Sequence, residues 1–234
     1  MKSAGVPERS KTFFGQTAEH YDEWYTVPST KYAEEVEDNL IFKALEGLSG
    51  SVLEVGSGTG NYLRKLKMFD SRYGVDFSMD MLNLSKRKIE IPLVSGRAES
   101  LPFKDNSFDV VIGVTSIEFF DGLESGLCEI ARVAARHVVL GFLSKPSLLY
   151  FSRKVRNVFS KNEFAFYNPQ AASGLRDFFE TKIGGFKVDF AESTLLLFPI
   201  YLRIMERLFK VIDLNFTKTG IGGFTVMRLF KTGE

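Results

Sequence analysis

A chain of 234 residues, 44% hydrophobic and with a formal net charge of +1, has enough apolar mass for one domain with a full core. That charge offers no electrostatic case for nucleic acid, whose binders show a basic face. The single cysteine, Cys128, excludes an internal disulfide and any cysteine-based metal cluster, and His20 and His137 lie too far apart for metal-ligand spacing.

In chain order, residues 8 to 49 read as helical in two pieces, the first rich in aromatics (Phe13, Phe14, Tyr21, Trp24, Tyr25). Residues 1 to 8 lack the apolar core of a secretory signal, so a cytoplasmic protein is expected. A buried strand over 52–55 runs into Gly56-Ser57-Gly58-Thr59-Gly60, and a helix over 61–68 follows. A strand, a tight glycine turn and a helix start bring backbone N–H groups up against a ligand. The spacing is not the G-x-G-x-x-G of a dinucleotide loop, because the third glycine comes one residue early and Asn61 stands where that pattern needs glycine. No G-x-x-x-x-G-K-[ST] phosphate loop is present.

A second strand, 72–76, ends in Asp76, a carboxylate able to accept hydrogen bonds from both hydroxyls of a ribose. Ser78 then caps a helix over 79–88. A strand over 91–94 and a loop containing Arg97-Ala98-Glu99-Ser100-Leu101-Pro102-Phe103 lead to a buried strand, 108–114. A helix over 123–134, with Cys128 expected in the core, precedes a strand over 137–143 that His137 opens. A helix over 170–183 and strands over 184–190 and 222–230 complete the chain. Alternating strands and helices imply a parallel sheet covered on both faces. Glu54–Gly60, Asp76, Arg97–Glu99 and Val114–Glu118 would meet in one crevice at the carboxyl ends of the strands. The basic runs Lys86-Arg87-Lys88 and Arg153-Lys154-Val155-Arg156 read as solvated helix faces.

Three stretches together, Glu54-Val55-Gly56-Ser57-Gly58-Thr59-Gly60, Gly74-Val75-Asp76-Phe77-Ser78-Met79-Asp80-Met81-Leu82 and Ala98-Glu99-Ser100-Leu101-Pro102-Phe103 through Asp109, resemble the class I S-adenosylmethionine-dependent methyltransferases. The resemblance implies a Rossmann-like, doubly wound α/β fold: seven strands, mostly parallel, the last one antiparallel, with helices on both faces. It further implies an N-terminal helical lid (1–49), a cofactor-binding domain (50–234), and variable caps at about 144–184 and 191–222. The cofactor implied is S-adenosylmethionine, leaving S-adenosylhomocysteine as product. Glu54 would hold its ammonium group, Gly56, Ser57, Gly58, Thr59 and Gly60 its amino-acid part, and Asp76 its ribose. Phe77 and Met81 would lie against the adenosine, with Ala98, Glu99 and Thr115 nearby. Arg97 departs from the family, standing where relatives carry an Asp for the adenine amino group, and is expected to stack on the base instead. Ala18-Glu19-His20-Tyr21-Asp22-Glu23-Trp24 resembles the A-x-x-Y-D-x-W lead-in of small-molecule members, with Tyr21 toward the cofactor and Trp24 or Tyr25 toward the acceptor.

The implied reaction is in-line displacement on a sulfonium methyl, which needs alignment more than a dedicated catalyst. Candidate bases are His20, Tyr21, Glu118 and Asp121, and Phe119 is a further acceptor contact. Thirteen of the 23 phenylalanines fall in residues 144–234, which points to a small, apolar or aromatic acceptor or equally to core packing. Ile200, Ile204, Leu208, Val211 and Ile212 form an apolar stripe beside Arg203, Arg207 and Lys210, fit for core, a lipid-like acceptor or a membrane surface. The uncharged run Ser193–Leu202 is too short to span a bilayer. Quinone-biosynthesis C-methyltransferases carry a Pro-Gly-Gly turn where this chain reads Arg132-Val133-Ala134-Ala135-Arg136-His137, so that substrate is not assigned, and arsenic methylation would need several cysteines. Two alternatives stand beside this reading: a protein that binds the cofactor without transferring methyl, and a nicotinamide-dependent oxidoreductase, against which Asn61 argues.

Overall fold

Seven short apolar runs pair into one sheet: β1 Ser51–Val55, β2 Ser71–Asp76, β3 Leu93–Ser95, β4 Phe108–Val114, β5 Ala134–Leu143, β6 Phe186–Thr194 and β7 Phe224–Lys231. This computed structural model describes residues 22, 28–145, 147, 168–195, 212 and 222–233. His20, Tyr21, Trp24, Tyr25, the aromatic runs 148–151 and 159–167, and Ile200, Ile204, Leu208 and Val211 of the apolar stripe lie outside the described residues. The strand order is β3-β2-β1-β4-β5-β7-β6. Strand β1 pairs parallel with β2 and β4, β2 pairs parallel with β3, and β7 runs antiparallel to β6. The order reverses between β1 and β4, and the carboxyl ends of strands flanking such a reversal are where open α/β sheets bind ligands.

Two compact units divide the chain, one built from Met1–Asp22 and Gly47–Val139, the other from Glu23–Glu46 and Leu140–Thr232. In the first unit, helices α2 (Asn61–Lys65), α3 (Met79–Lys88) and α4 (Leu123–Val133) alternate with the strands. Buried Val52, Leu53, Val55, Val75, Val110, Val111 and Ile112 form the sheet's part of the core, met by Leu63, Leu82, Leu127 and Ile130 from the helices. In the second unit, α1 (Pro28–Leu45) opens on a proline, whose missing N–H costs nothing in a first turn. Its stripe of Tyr32, Val36, Leu40, Ile41 and Ala44 is fully inward.

Boundaries moved where local chemistry overrode periodicity. The helix expected over 61–68 ends at Lys65, because Leu66 leaves helical geometry (ψ 41°) and turns so that Leu66 and Phe69 both bury. The third strand begins at Leu93 rather than 91, since Pro92 has no N–H to pair and instead accepts from the Gly74 N–H through its carbonyl (3.0 Å). Strand β5 starts three residues early, at Ala134, because the chain passes from α4 straight into extended backbone (φ −76°, ψ 124°) without a glycine turn. The helix expected over 170–183 is α5 (Ala172–Asp177) continued by a π-helical turn, Phe178–Ile183, which carries Phe178 and Phe179 inward. Cys128 corrects an expectation: it is exposed, because the inward face of α4 is Leu127, Ile130, Ala131 and one step round the helix points outward.

Several polar groups of the second unit pair with one another. Thr225 Oγ1 bonds the hydroxyls of Ser144 and Ser193 (2.8 Å to Ser193), and all three residues are buried. Lys43 Nζ donates to both carboxylate oxygens of Glu192 at 2.9 and 2.7 Å. Arg228 pairs with Asp189 and donates to the carbonyl of Ala44 at the end of α1.

Candidate functional site

Strand β1 delivers the chain to its glycine turn at the carboxyl edge of the sheet, and β2 pins the turn there. The N–H groups of Gly56 and Ser57 both donate to the carbonyl of Val75, at 2.8 and 3.1 Å. The N–H of Gly58 donates to Asp76 Oδ2 (2.8 Å), while the other oxygen of Asp76 accepts from the Ser78 N–H (2.8 Å). One carboxylate therefore fixes both the turn and the entry to α3, where Ser78 accepts from the Met81 N–H as N-cap. Burial raises the Asp76 pKa, and hydrogen bonds from the Ser78, Gly58 and Phe77 N–H groups oppose that rise.

The glycines serve different ends. At Gly56 (φ +78°) an added Cβ would lie 2.5 Å from the Cβ of Ser116, so the space belongs to the turn after β4. At Gly58 (φ +51°) an added Cβ meets nothing within 4 Å, so this side of the turn is open to an approaching molecule.

Beneath the turn sits Glu54, opposite Gly74 and Ile112 in the sheet register and 2% exposed. Burial pushes its carboxyl pKa well above the usual range, helped by nearby Asp76 and opposed by the Leu63 N–H and Lys65. Its Oε2 has no hydrogen-bond partner among the described residues, nor do the buried hydroxyls of Ser57, Ser85 and Ser116. A carboxylate oxygen this deep without a donor is costly unless a cation meets it. At the end of β4, Thr115 holds φ +45°, an uncommon conformation for a β-branched residue, and turns Ser116 back toward Gly56. The turn Ile117–Phe119 follows, with Glu118 buried and Phe119 half-buried.

On the other flank, the Arg97 guanidinium is ion-paired with Asp121 and lies 3.4 Å from Glu99 Oε2. Glu99 Oε1 in turn accepts the N–H groups of Asp121 (2.8 Å) and Gly122 (3.3 Å) at the start of α4. The structure thus gives Arg97 to a carboxylate pair, and both Arg97 and Asp121 are committed to it. Phe77 and Ala98 are half-buried and Met81 is buried.

Sequence reading gave no role to Asp22. Asp22 accepts from Thr59 Oγ1 (2.9 Å) and Asn61 Nδ2 (3.1 Å) and is ion-paired with Lys88. Burial would raise its pKa, but hydrogen bonds from Lys88, Thr59 and Asn61 hold it below the ordinary value. The one signal available was Asn61 itself, an amide at a position where a different loop would carry glycine.

S-adenosylmethionine fits these donors and acceptors. Its ammonium group suits the unpartnered Glu54 oxygen, its amino-acid part suits the open side of Gly58, and its ribose suits Asp76, whose two oxygens each keep a lone pair after the backbone bonds.

Known proteins resemble this chain in sequence and fold. A family model described as a methyltransferase domain matches residues 53–141. An uncharacterized protein of Methanocaldococcus jannaschii is 31% identical over 160 residues, covering 64% of this chain and 71% of that protein. A demethylmenaquinone methyltransferase of Chlorobaculum tepidum is 30% identical over 141 residues, covering 53% of this chain and 58% of its own length. Among solved structures, an S-adenosylmethionine-dependent methyltransferase of Thermotoga maritima superposes with a TM-score of 0.73 at 24% identity, over 94% of this chain and 99% of that one, a likeness of fold.

Proposed function

This chain belongs to the class I S-adenosylmethionine-dependent methyltransferases, and we propose that it methylates a small, apolar or aromatic acceptor. When bound, the cofactor supplies an activated methyl on a sulfonium, so the protein's task is alignment and exclusion of water. Glu54 holds the ammonium end, with ionisation of its carboxyl favoured once that cation is beside it. Asp76, already oriented by two backbone N–H groups, takes the ribose hydroxyls, and Phe77 lies along the adenosine. Thr115 and Ser116 close the side of the turn nearest β4. Glu118, buried in the turn after β4, is one candidate to receive a proton from an acceptor that must lose one.

The observation that carries the cofactor reading is the buried Glu54 oxygen without a donor beneath an open glycine turn. For the acceptor, support comes from the aromatic carboxyl-terminal part and from a relative named for demethylmenaquinone. Phe178, Phe179, Phe186 and Phe224 are core residues, so a lining role falls to other aromatics of that part. The test is turnover: S-adenosylhomocysteine formation with a panel of apolar, aromatic and polar acceptors. Release confined to apolar or aromatic acceptors supports the proposal; turnover only with polar or macromolecular acceptors contradicts it.

A further inference from the structure

Two carboxylates staple the glycine turn to α3, one at each end of that helix. Asp76 does so at the front, joining the Gly58 N–H to the Ser78 N–H. Asp22 does so at the back, joining Thr59 Oγ1 and Asn61 Nδ2 to Lys88, the last residue of α3. Between them the turn lies directly on the helix, since an added Cβ at Gly60 would come within 2.4 Å of Ser85 Oγ and 2.7 Å of Ile89 Cδ1. Only one of the two staples comes from outside the sheet. Asp22 lies 37 residues before Thr59 and 66 before Lys88, so its bonds are long-range contacts that the turn and α3 cannot supply from within.

We propose that Asp22 is a positioning residue for cofactor binding: by holding Thr59, Asn61 and Lys88 together it fixes the far corner of the turn whose near corner Asp76 fixes. It touches no reacting atom. Its effect runs through preorganisation, which strengthens binding by removing the cost of ordering the turn when the ligand arrives. Asn61 is the part of this device that glycine could not supply, because its amide is a donor to the Asp22 carboxylate. Lys88 supplies the charge that keeps that carboxylate ionised beside two neutral donors.

The inference rests on the cofactor reading above, and titration of the intact chain with S-adenosylhomocysteine separates the two. If the unaltered protein does not bind, the cofactor reading fails first; the staple is judged only on a protein that binds. Asp22→Ala and Asn61→Ala are each expected to weaken binding by about tenfold, within the range usual for energetic coupling. The double variant should bind no more weakly than Asp22→Ala, since both changes break one connection. Asp22→Asn, which keeps an oxygen for Thr59 and Asn61 but loses the charge facing Lys88, should recover part of the affinity. The ligand-free melting temperature should move by no more than about 2 °C, as for an ordinary surface change. Asp22→Ala binding within about twofold of the unaltered protein would overturn the proposal. So would losses that add in the double variant, which would mean the two residues act independently, or affinity losses that merely track a falling melting temperature.

Discussion

The glycine turn of the first unit and the sheet of the second treat buried polar groups differently. Around the sheet of the second unit the buried ones are paired: Thr225 with Ser144 and Ser193, and Glu192 with Lys43. Around the glycine turn of the first unit, Glu54 Oε2 and the hydroxyls of Ser57, Ser85 and Ser116 are buried without a partner among the described residues. A folded chain tolerates such atoms where something else completes them, because each one left unmade costs free energy. Groups paired in this way act as scaffold, and incomplete ones gathered at one turn fit a place that a ligand would complete.

Substitutions can break that contrast. The largest effect is expected from Asp76→Ala, which removes the proposed ribose acceptor and frees two backbone N–H groups; cofactor affinity should fall roughly 100-fold or more by titration calorimetry. Gly56→Ala comes next. Its new methyl meets the Ser116 Cβ, which cannot rotate away, at a positive φ, for a loss of about 2–3 kcal/mol in denaturant unfolding. Gly58→Ala, with open space beside it, should cost only about 1 kcal/mol of stability yet still obstruct the ligand.

Glu54→Gln sharpens the comparison, because function and stability should move apart. Cofactor binding should weaken about tenfold, the charge on a buried hydrogen bond being lost. The ligand-free protein should gain about 1 kcal/mol at neutral pH, roughly 2–4 °C in melting temperature. The sign follows from the raised pKa of Glu54 in the folded state: the protonated carboxyl contributes stability at low pH, and that contribution is lost as pH rises through the folded value. Binding runs the other way. Affinity for the cationic cofactor should rise as pH climbs through that same value, and the glutamine variant should flatten the profile. The smallest effect belongs to the second unit. Thr225→Val leaves Ser144 and Ser193 without their shared partner and should cost about 1 kcal/mol in unfolding, with cofactor binding unchanged within about twofold.

Much of this was legible in the sequence, and the residues show why. The order of strands and helices followed from periodicity, and the Ser78 cap and the helix Met79–Lys88 from local rules that act within a turn. The antiparallel pairing of the last two strands followed from the resemblance, and β6 and β7 pair that way. Glu54 and Asp76 were singled out because motif spacing placed them toward strand ends. What escaped depends on distant partners. Nothing local to Asp22 tells that it meets Asn61 and Lys88, and nothing local to Arg97 shows Asp121, 24 residues on, taking its guanidinium. The exposure of Cys128 and the early end of α2 turned on a single step of rotation and a single residue leaving the helix.

Titration of the intact protein with S-adenosylmethionine, S-adenosylhomocysteine and NAD, repeated on Asp76→Ala, tests the central claim most directly. Saturable binding of both sulfur compounds, absent for NAD and severely weakened by the substitution, is the predicted result. Binding of NAD alone, or sulfur-compound binding indifferent to the loss of Asp76, would contradict it.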